Sequence, residues 1–273
     1  MSDSELPRSD LPVDRASQFG WRIEHWETIG STNDEARARA LRGDPGHLWI
    51  IADEQTAGKG RLGRAWTSLR GNLHASALLL DPGPIAKGAE VGFVAGLALH
   101  RAVSDLGGRE FFLKWPNDLI WRGAKVAGLL AEGVSSQGGG FACVVGIGVN
   151  CEIAPENAAY PAASLSQALS RRVSPAELFD RLAPRFAEAL ALWRGGEAFD
   201  QIRAAWLAVA AGLGAPIRIA GADGPREGVF EALDARGRLL MRRAGRLEII
   251  EAGDLMLLGG EADAEAGRRA AGS

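Results

Sequence analysis

Cysteine is nearly absent: Cys143 and Cys151 are the only two in 273 residues. Two thiols cannot build a disulfide framework, and neither belongs to a His/Cys cluster at zinc spacing, so stapled scaffolds and zinc modules are excluded. Also missing is any apolar stretch of signal-peptide or membrane length, since the opening segment from Met1 to Phe19 is polar. An excess of one charge is missing too, with 34 acidic side chains against 31 basic ones for a net charge of −3. Such a balance gives no global attraction to nucleic acid or to a membrane, so a basic feature must be local and serve a local ligand. These absences describe an ordinary soluble chain with the cytoplasm as its default compartment. Its length allows one large domain, or one plus a small one.

What is present centres on one loop, Ala57-Gly58-Lys59-Gly60-Arg61-Leu62-Gly63-Arg64-Ala65-Trp66. The run before it, Leu48 to Asp53, reads as a buried strand. Glycines let the backbone approach a ligand closely, and Lys59, Arg61 and Arg64 carry donors suited to phosphate or carboxylate oxygens. Gly58-x-Gly60-x-x-Gly63 has the spacing of a dinucleotide fingerprint, and Asp81 stands near the place of its carboxylate. Yet Ala65 to Gly71 has no helical period, which that fold requires. A P-loop fails as well, because Asp53 occupies its first glycine position and Gly60 follows Lys59 where Ser or Thr belongs. Taken alone, the loop is either an anion site or a solvated basic turn.

Upstream, Trp21 to Trp26 alternates as a strand does, and the expected helix starts at a capping box of Thr32 with Glu35 and stops at Gly43. Ser31, Thr32 and Asn33 then stand at a helix N-terminus, as caps or as ligand groups. Downstream, Leu73 to Leu80 reads as a strand and Lys87 to Leu106 as a long amphipathic helix. His100 lies within that helix and receives no role. Phe111 to Lys114, Leu119 to Trp121 and Lys125 to Leu130 form a meander, and Phe141 to Gly148 adds one more strand after the Gly138 to Gly140 turn. Asn157 to Ala163 is a loop, followed by a helix capped by Ser174 with Pro175 and Glu177, and by another from about Glu197 to Ala210. After Gly212-Leu213-Gly214 four short strands, around Ile217 to Ile219, Gly228 to Leu233, Arg238 to Met241 and Leu247 to Ile250, predict a small β-barrel. The tail from Gly260 has the composition of a disordered segment. The expected class is therefore α+β, a mostly antiparallel sheet with packed helices plus the small barrel. Its divisions are a leader at 1–20, a main domain at 21–212, the barrel at 213–259 and a tail at 260–273.

Taken together, Gly30-Ser31-Thr32-Asn33, the segment from Glu54 to Trp66, Gly71-Asn72-Leu73, Lys114-Trp115-Pro116-Asn117-Asp118, Lys125-Val126-Ala127-Gly128 and Gly146-Ile147-Gly148-Val149-Asn150 resemble the biotin protein ligases. The resemblance runs from about Trp21 to Leu258. It implies a class II synthetase-like catalytic domain beside an SH3-like C-terminal domain. It implies ATP and biotin as substrates, Mg²⁺, a biotinyl-adenylate intermediate, and transfer to a lysine of a biotin carboxyl carrier protein or domain.

Position by position, the resemblance implies catalytic roles for Lys125, Arg61 and Asp118. Ser31, Thr32, Asn33, Gln55, Gly58, Lys59 and Gly128 would bind biotin, while Arg61, Arg64, Trp66, Lys114, Asn117 and Asn150 would bind the adenylate. Metal ligands are not identified. Asp118 is expected beside the acceptor lysine as base or orienter. As plain structure, Trp66 is a core residue and Asn117-Asp118 shapes a turn.

Two departures carry information. Lys59 stands where family members often have arginine, which keeps the charge and loses the bidentate fork. The segment before Trp21 is too short for the winged helix-turn-helix of ligases that also repress transcription, so no nucleic-acid partner is expected, and a homodimer is left open. A lipoate or octanoate ligase is the nearest rival reading. A nucleotide or RNA binder built on the barrel ranks lower, because Asp223, Glu227, Glu231 and Asp234 interrupt any basic face.

Overall fold

Strands β1 (Arg22–Ile29) and β2 (Leu48–Gln55) are parallel and joined by helix α1 (Thr32–Leu41), the crossover that a parallel pair needs. The computed structural model describes residues 20–135, 140–156, 158–220 and 224–258. The expected leader up to Phe19, Gly138 and Gly139 of the expected turn, Asn157, Asp223 and the tail from Gly260 lie outside them. β3 (Leu73–Leu80), β4 (Phe111–Lys114), β5 (Asp118–Trp121), β6 (Ala124–Ser135) and β7 (Phe141–Val149) complete a seven-stranded sheet in the order β1-β2-β3-β7-β6-β5-β4. Every pairing other than β1 with β2 is antiparallel, as the short connections require.

β2 is apolar throughout because the sheet is covered on both faces, so its period-two alternation sorts two cores instead of core from solvent. Leu48 and Ile50, with Leu78, Ala142 and Val144, pack beneath Ala36 and Ala40 of α1. Trp49 and Ile51, with Ala75, Ala77, Leu79, Val145 and Ile147, face a larger core. That core is closed by α2 (Glu90–Asp105), with α3 (Leu165–Leu169), α4 (Pro175–Trp193) and α5 (Phe199–Leu207) following. Trp49 ties α4 to the sheet through edge contacts at 5.4 Å to Phe179 and 5.2 Å to Phe186. Burial of each such side chain stabilises by roughly 2–3 kcal/mol. As the sequence predicts, Ser174 caps α4, its Oγ accepting from the Glu177 N–H at 3.1 Å.

Several boundaries differ from expectation. The cap of α1 is Ser31, whose Oγ accepts from Asp34 N–H, while Thr32 is the first helical residue. Ser-x-x-Asp and Thr-x-x-Glu are both available here, and Glu35 is drawn away by Arg39 and Arg42 at 2.7 and 2.9 Å. Ile85–Lys87 is a separate 3-10 turn ahead of α2, and α5 is shorter than its periodicity suggests.

β8 (Pro216–Ala220), β9 (Arg226–Leu233), β10 (Leu239–Arg243), β11 (Arg246–Ile250) and β12 (Asp254–Leu257) form a second, wholly antiparallel sheet in the order β11-β10-β9-β8-β12. This is the arrangement expected of an SH3-like unit. β12 escaped the sequence reading, being only four residues long. The small sheet touches the main one where Trp115 Nε1 donates to the Gly237 carbonyl at 3.1 Å.

Candidate active site

The α1 face of β7 starts as Ala142 and Val144 and then loses its side chains at Gly146 and Gly148. A Cβ on Gly146 would lie 2.3 Å from Asn33 Oδ1, and one on Gly148 would lie 2.6 Å from the Trp66 ring. Gly128, the partner of Gly148 on β6, is tight but less so, with Lys125 Nζ at 3.1 Å and Trp66 at 3.2 Å from such an atom. Three glycines on one face thus sink the floor of a cavity of about 600 Å³. Its wall is the N-terminus of α1, and its roof is the basic loop.

Every residue singled out by the sequence lines this cavity except Gly58. Gly58 sits behind it, where a Cβ would come within 2.7 Å of Ser68 Oγ and the Trp66 carbonyl, so the hairpin requires glycine there. The hairpin is closed by Trp66 N–H to Gly58 O at 2.9 Å and Gly60 N–H to Arg64 O at 2.7 Å. Leu62 and Gly63 take positive φ at its tip.

The polar wall is prearranged. Gln55 Oε1 accepts from the Thr32 N–H at 2.9 Å and its hydroxyl at 3.1 Å, while Gln55 Nε2 donates to Ser68 Oγ at 2.9 Å. Ser76 Oγ lies 2.7 Å from Thr32 Oγ1 and 2.6 Å from Asn33 Oδ1. Asn33 Nδ2 donates to Glu132 at 2.7 Å and to the Leu130 carbonyl at 3.4 Å, so this side chain is spent on the protein. Asn150 is similarly committed, its Nδ2 donating to the Ala163 carbonyl at 3.1 Å. His74 is buried on the same face of β3, and burial pushes it below the ordinary histidine range, so it is neutral.

Cations gather on the other side. Asp118 lies between two ammonium groups, Lys125 at 2.7 Å and Lys114 at 3.3 Å. Lys125 also faces two rings, Trp66 at 5.5 Å and Tyr160 at 5.1 Å. Arg61 enters from the loop and donates to Asn117 Oδ1 at 3.2 Å, and Asn117 Nδ2 in turn holds the Leu129 carbonyl at 2.7 Å. Burial lowers the Arg61 pKa, yet a guanidinium stays charged, and its nearest carboxylate, Asp254, is 3.9 Å away. A half-buried cation with so little compensation is a ready anion site. Lys59 and Arg64 point elsewhere, Lys59 to Asp34 at 2.7 Å and Arg64 to both oxygens of Asp254 at 2.9 and 3.0 Å. The bond to Asp254 raises the Arg64 pKa.

Sequence reasoning missed Asp254, Tyr160, Ser76 and His74. Asp254 has no local signal, since its contact spans 190 residues. Ser76 and His74 do have one, as the only polar residues of β3, two apart in an apolar run. The two cysteines take no part. Both are buried, and burial pushes Cys143 up to about 12 and Cys151 further in the same direction.

A polar wall, a glycine floor and a cationic roof around one cavity suit a ligase that activates a carboxylate. The chain is a member of the biotin/lipoate A/B protein ligase family, whose pattern matches residues 28–150. Within that family it is 38% identical over 239 residues to the biotin--[acetyl-CoA-carboxylase] ligase of Paracoccus denitrificans, covering 84% of this chain and 98% of that one. It also resembles the biotin protein ligase of Aquifex aeolicus solved with biotin and ATP, with a TM-score of 0.75 and 26% identity over 87% of this chain and 98% of that one. The Leishmania major biotin protein ligase bound to biotinyl-5-AMP matches with a TM-score of 0.59 and 25% identity, covering 85% of this chain and 99% of that one.

Proposed function

We propose that this chain activates biotin with ATP as biotinyl-5'-AMP, releasing pyrophosphate, and transfers biotin to a lysine of a biotin carboxyl carrier domain. The observation that carries the reading is the meeting of Arg61, Lys114 and Lys125 over one cavity opposite the Thr32–Gln55 wall. Two anions, a carboxylate and an α-phosphate, must be brought together for the carboxylate to attack phosphorus, and fixed cations offset their repulsion.

Lys125 takes the position between the two anions. Ser31, Thr32 and Gln55 supply donors and acceptors for the ureido group, with backbone near Gly58 and Lys59 completing the grip. Asn33 acts at one remove by holding Ser76, whose hydroxyl also meets that of Thr32. Trp66 covers the adenine from over the Gly128 and Gly148 floor, and Asn150 holds the Ala163 segment beside it. Asp118, held between two ammonium groups, orients Lys114, Lys125 and the incoming amine. Arg61 and Arg64 keep the loop over a mixed anhydride that water would hydrolyse.

Among the described residues no group of three metal-ligating side chains occurs, and the cavity carboxylates Asp118 and Asp254 are already paired with cations. A resident Mg²⁺ site does not fit these residues, so Mg²⁺ is assigned to the nucleotide as part of its substrate form. The catalytic work falls to residues 21–212, with 213–259 as the SH3-like unit. No described helix is long and apolar enough to cross a membrane.

The test is to incubate the protein with ATP, Mg²⁺ and a carrier domain, with biotin in one tube and lipoate in another, and to weigh the carrier. Biotinylation of one lysine is expected, and a dominant lipoyl product would sink the assignment.

A further inference from the structure

The whole sequence contains four lysines, Lys59, Lys87, Lys114 and Lys125, against 27 arginines. All four lie among the described residues, and each sits against a carboxylate. The distances are 2.7 Å from Lys59 to Asp34, 2.8 Å from Lys87 to Glu90, 3.3 Å from Lys114 to Asp118 and 2.7 Å from Lys125 to Asp118. Three of them line the cavity, where a cation has work to do, and the fourth neutralises the nearly buried Glu90.

This distribution matters because of what the enzyme makes. In the transfer step the lone pair of a neutral lysine amine attacks the carbonyl carbon of the mixed anhydride. A C–N bond forms, the bond from that carbon to the phosphate oxygen breaks, AMP leaves with the electron pair, and the amine's proton passes to water. Any accessible lysine is chemically an acceptor, the enzyme's own included. An arginine keeps the surface charge and its ion pairs, but its guanidinium stays protonated and offers no such lone pair. A lysine held as an ammonium against a carboxylate has its lone pair occupied.

We propose that this chain excludes itself as an acceptor of its own acyl-adenylate, by carrying arginine where a surface lysine would otherwise stand and by pairing each lysine it retains. The inference rests on the adenylate chemistry proposed above. Specificity for the carrier lysine is then partly a matter of what the enzyme withholds from its own reagent.

The experiment uses the full chain without carrier, in the presence of a lysine-rich bystander protein. One arm receives synthetic biotinyl-5'-AMP and the other receives ATP, Mg²⁺ and biotin. Labelled positions are mapped by peptide mass spectrometry. Two variants accompany the wild type: Ala159→Lys, at an exposed position lining the cavity mouth, and the triple change Arg37→Lys, Arg109→Lys, Arg246→Lys at exposed sites. Pairing worth up to about 1 kcal/mol predicts that the wild-type lysines are labelled more slowly, per lysine, than those of the bystander, by up to about fivefold. The lysine at position 159 and the three introduced ones should be labelled at the bystander's rate or faster. Wild-type lysines labelled as fast as the bystander's, or introduced lysines left unlabelled beside a labelled bystander, would overturn the proposal. The synthetic donor makes this outcome independent of activity, so labelling in that arm alone counts against the proposed adenylation and not against self-exclusion.

Discussion

Asp254→Asn isolates the contribution of the small sheet to the loop. In the wild type, Arg64 makes two hydrogen bonds to Asp254 at 2.9 and 3.0 Å, with both side chains about half exposed. Exposed pairs contribute about 0–1 kcal/mol, and the bidentate geometry places this one near the upper end. Losing about 1 kcal/mol raises the open population of the loop about fivefold. Escape of the adenylate, read as biotin on a bystander protein per carrier turnover, should rise by a similar factor. Adenylate synthesis should fall far less, because Lys125 and Arg61 remain. The KM for ATP should not rise, since the change removes a negative charge from the cavity lining. Arg64→Ala and the double variant complete a cycle in which the two leak effects should be less than additive. Unchanged leakage, fully additive effects, or a loss of adenylate synthesis of about hundredfold, the size expected for a catalytic charge, would refute the clasp.

Lys125→Ala should lower adenylate formation by on the order of 10²-fold or more while leaving biotin binding largely intact, as seen by quench-flow and calorimetry. Arg61→Ala should in addition release the intermediate to bystander lysines, which separates a covering role from a purely electrostatic one. Gly148→Ala places a methyl 2.6 Å from Trp66 and forces the ring to move by about 1 Å. A displacement of that size should cut adenylate formation by up to about 10²-fold, with little change in far-UV circular dichroism; full activity would show that the Trp66 ring does not position the nucleotide. His100, which bonds the Phe111 carbonyl at 3.1 Å, has its pKa lowered by burial. The unfolded chain therefore binds a proton there that the folded one resists, and stability falls as pH drops below about 6.5. His100→Gln should flatten that acid slope in pH-dependent melts.

Much of the site was legible because its chemistry is local in sequence. The glycines and cations of residues 58–64 lie in one hairpin, and the strand feeding them is apolar because both its faces are covered. Fitting that loop to a phosphate-binding pattern failed for a physical reason: no helix follows it, so its donors are side chains on a hairpin and not the N-terminus of a helix. The cap of α1 was misplaced by one residue because Ser31 and Thr32 are equally good caps by type, and only the distant Gln55 and Ser76 decide which hydroxyl is free. The protein partners of Asn33 Nδ2 and Asn150 Nδ2, Glu132 and the Ala163 carbonyl, are ones that no local pattern reveals. The reach of Asp254 to Arg64 depends on how the sheets assemble, which turn residues and periodicity do not encode.

The central claim, that the carboxylate of biotin attacks the α-phosphate of ATP, is tested most directly by an isotope measurement. Biotin labelled with ¹⁸O in its carboxylate is turned over with ATP and a carrier domain, and the nucleotide and phosphate products are weighed. Attack at the α-phosphate leaves one carboxylate oxygen on phosphorus, so the account predicts AMP carrying a single ¹⁸O and pyrophosphate carrying none. Label recovered in inorganic phosphate alongside ADP, or unlabelled AMP, would contradict it.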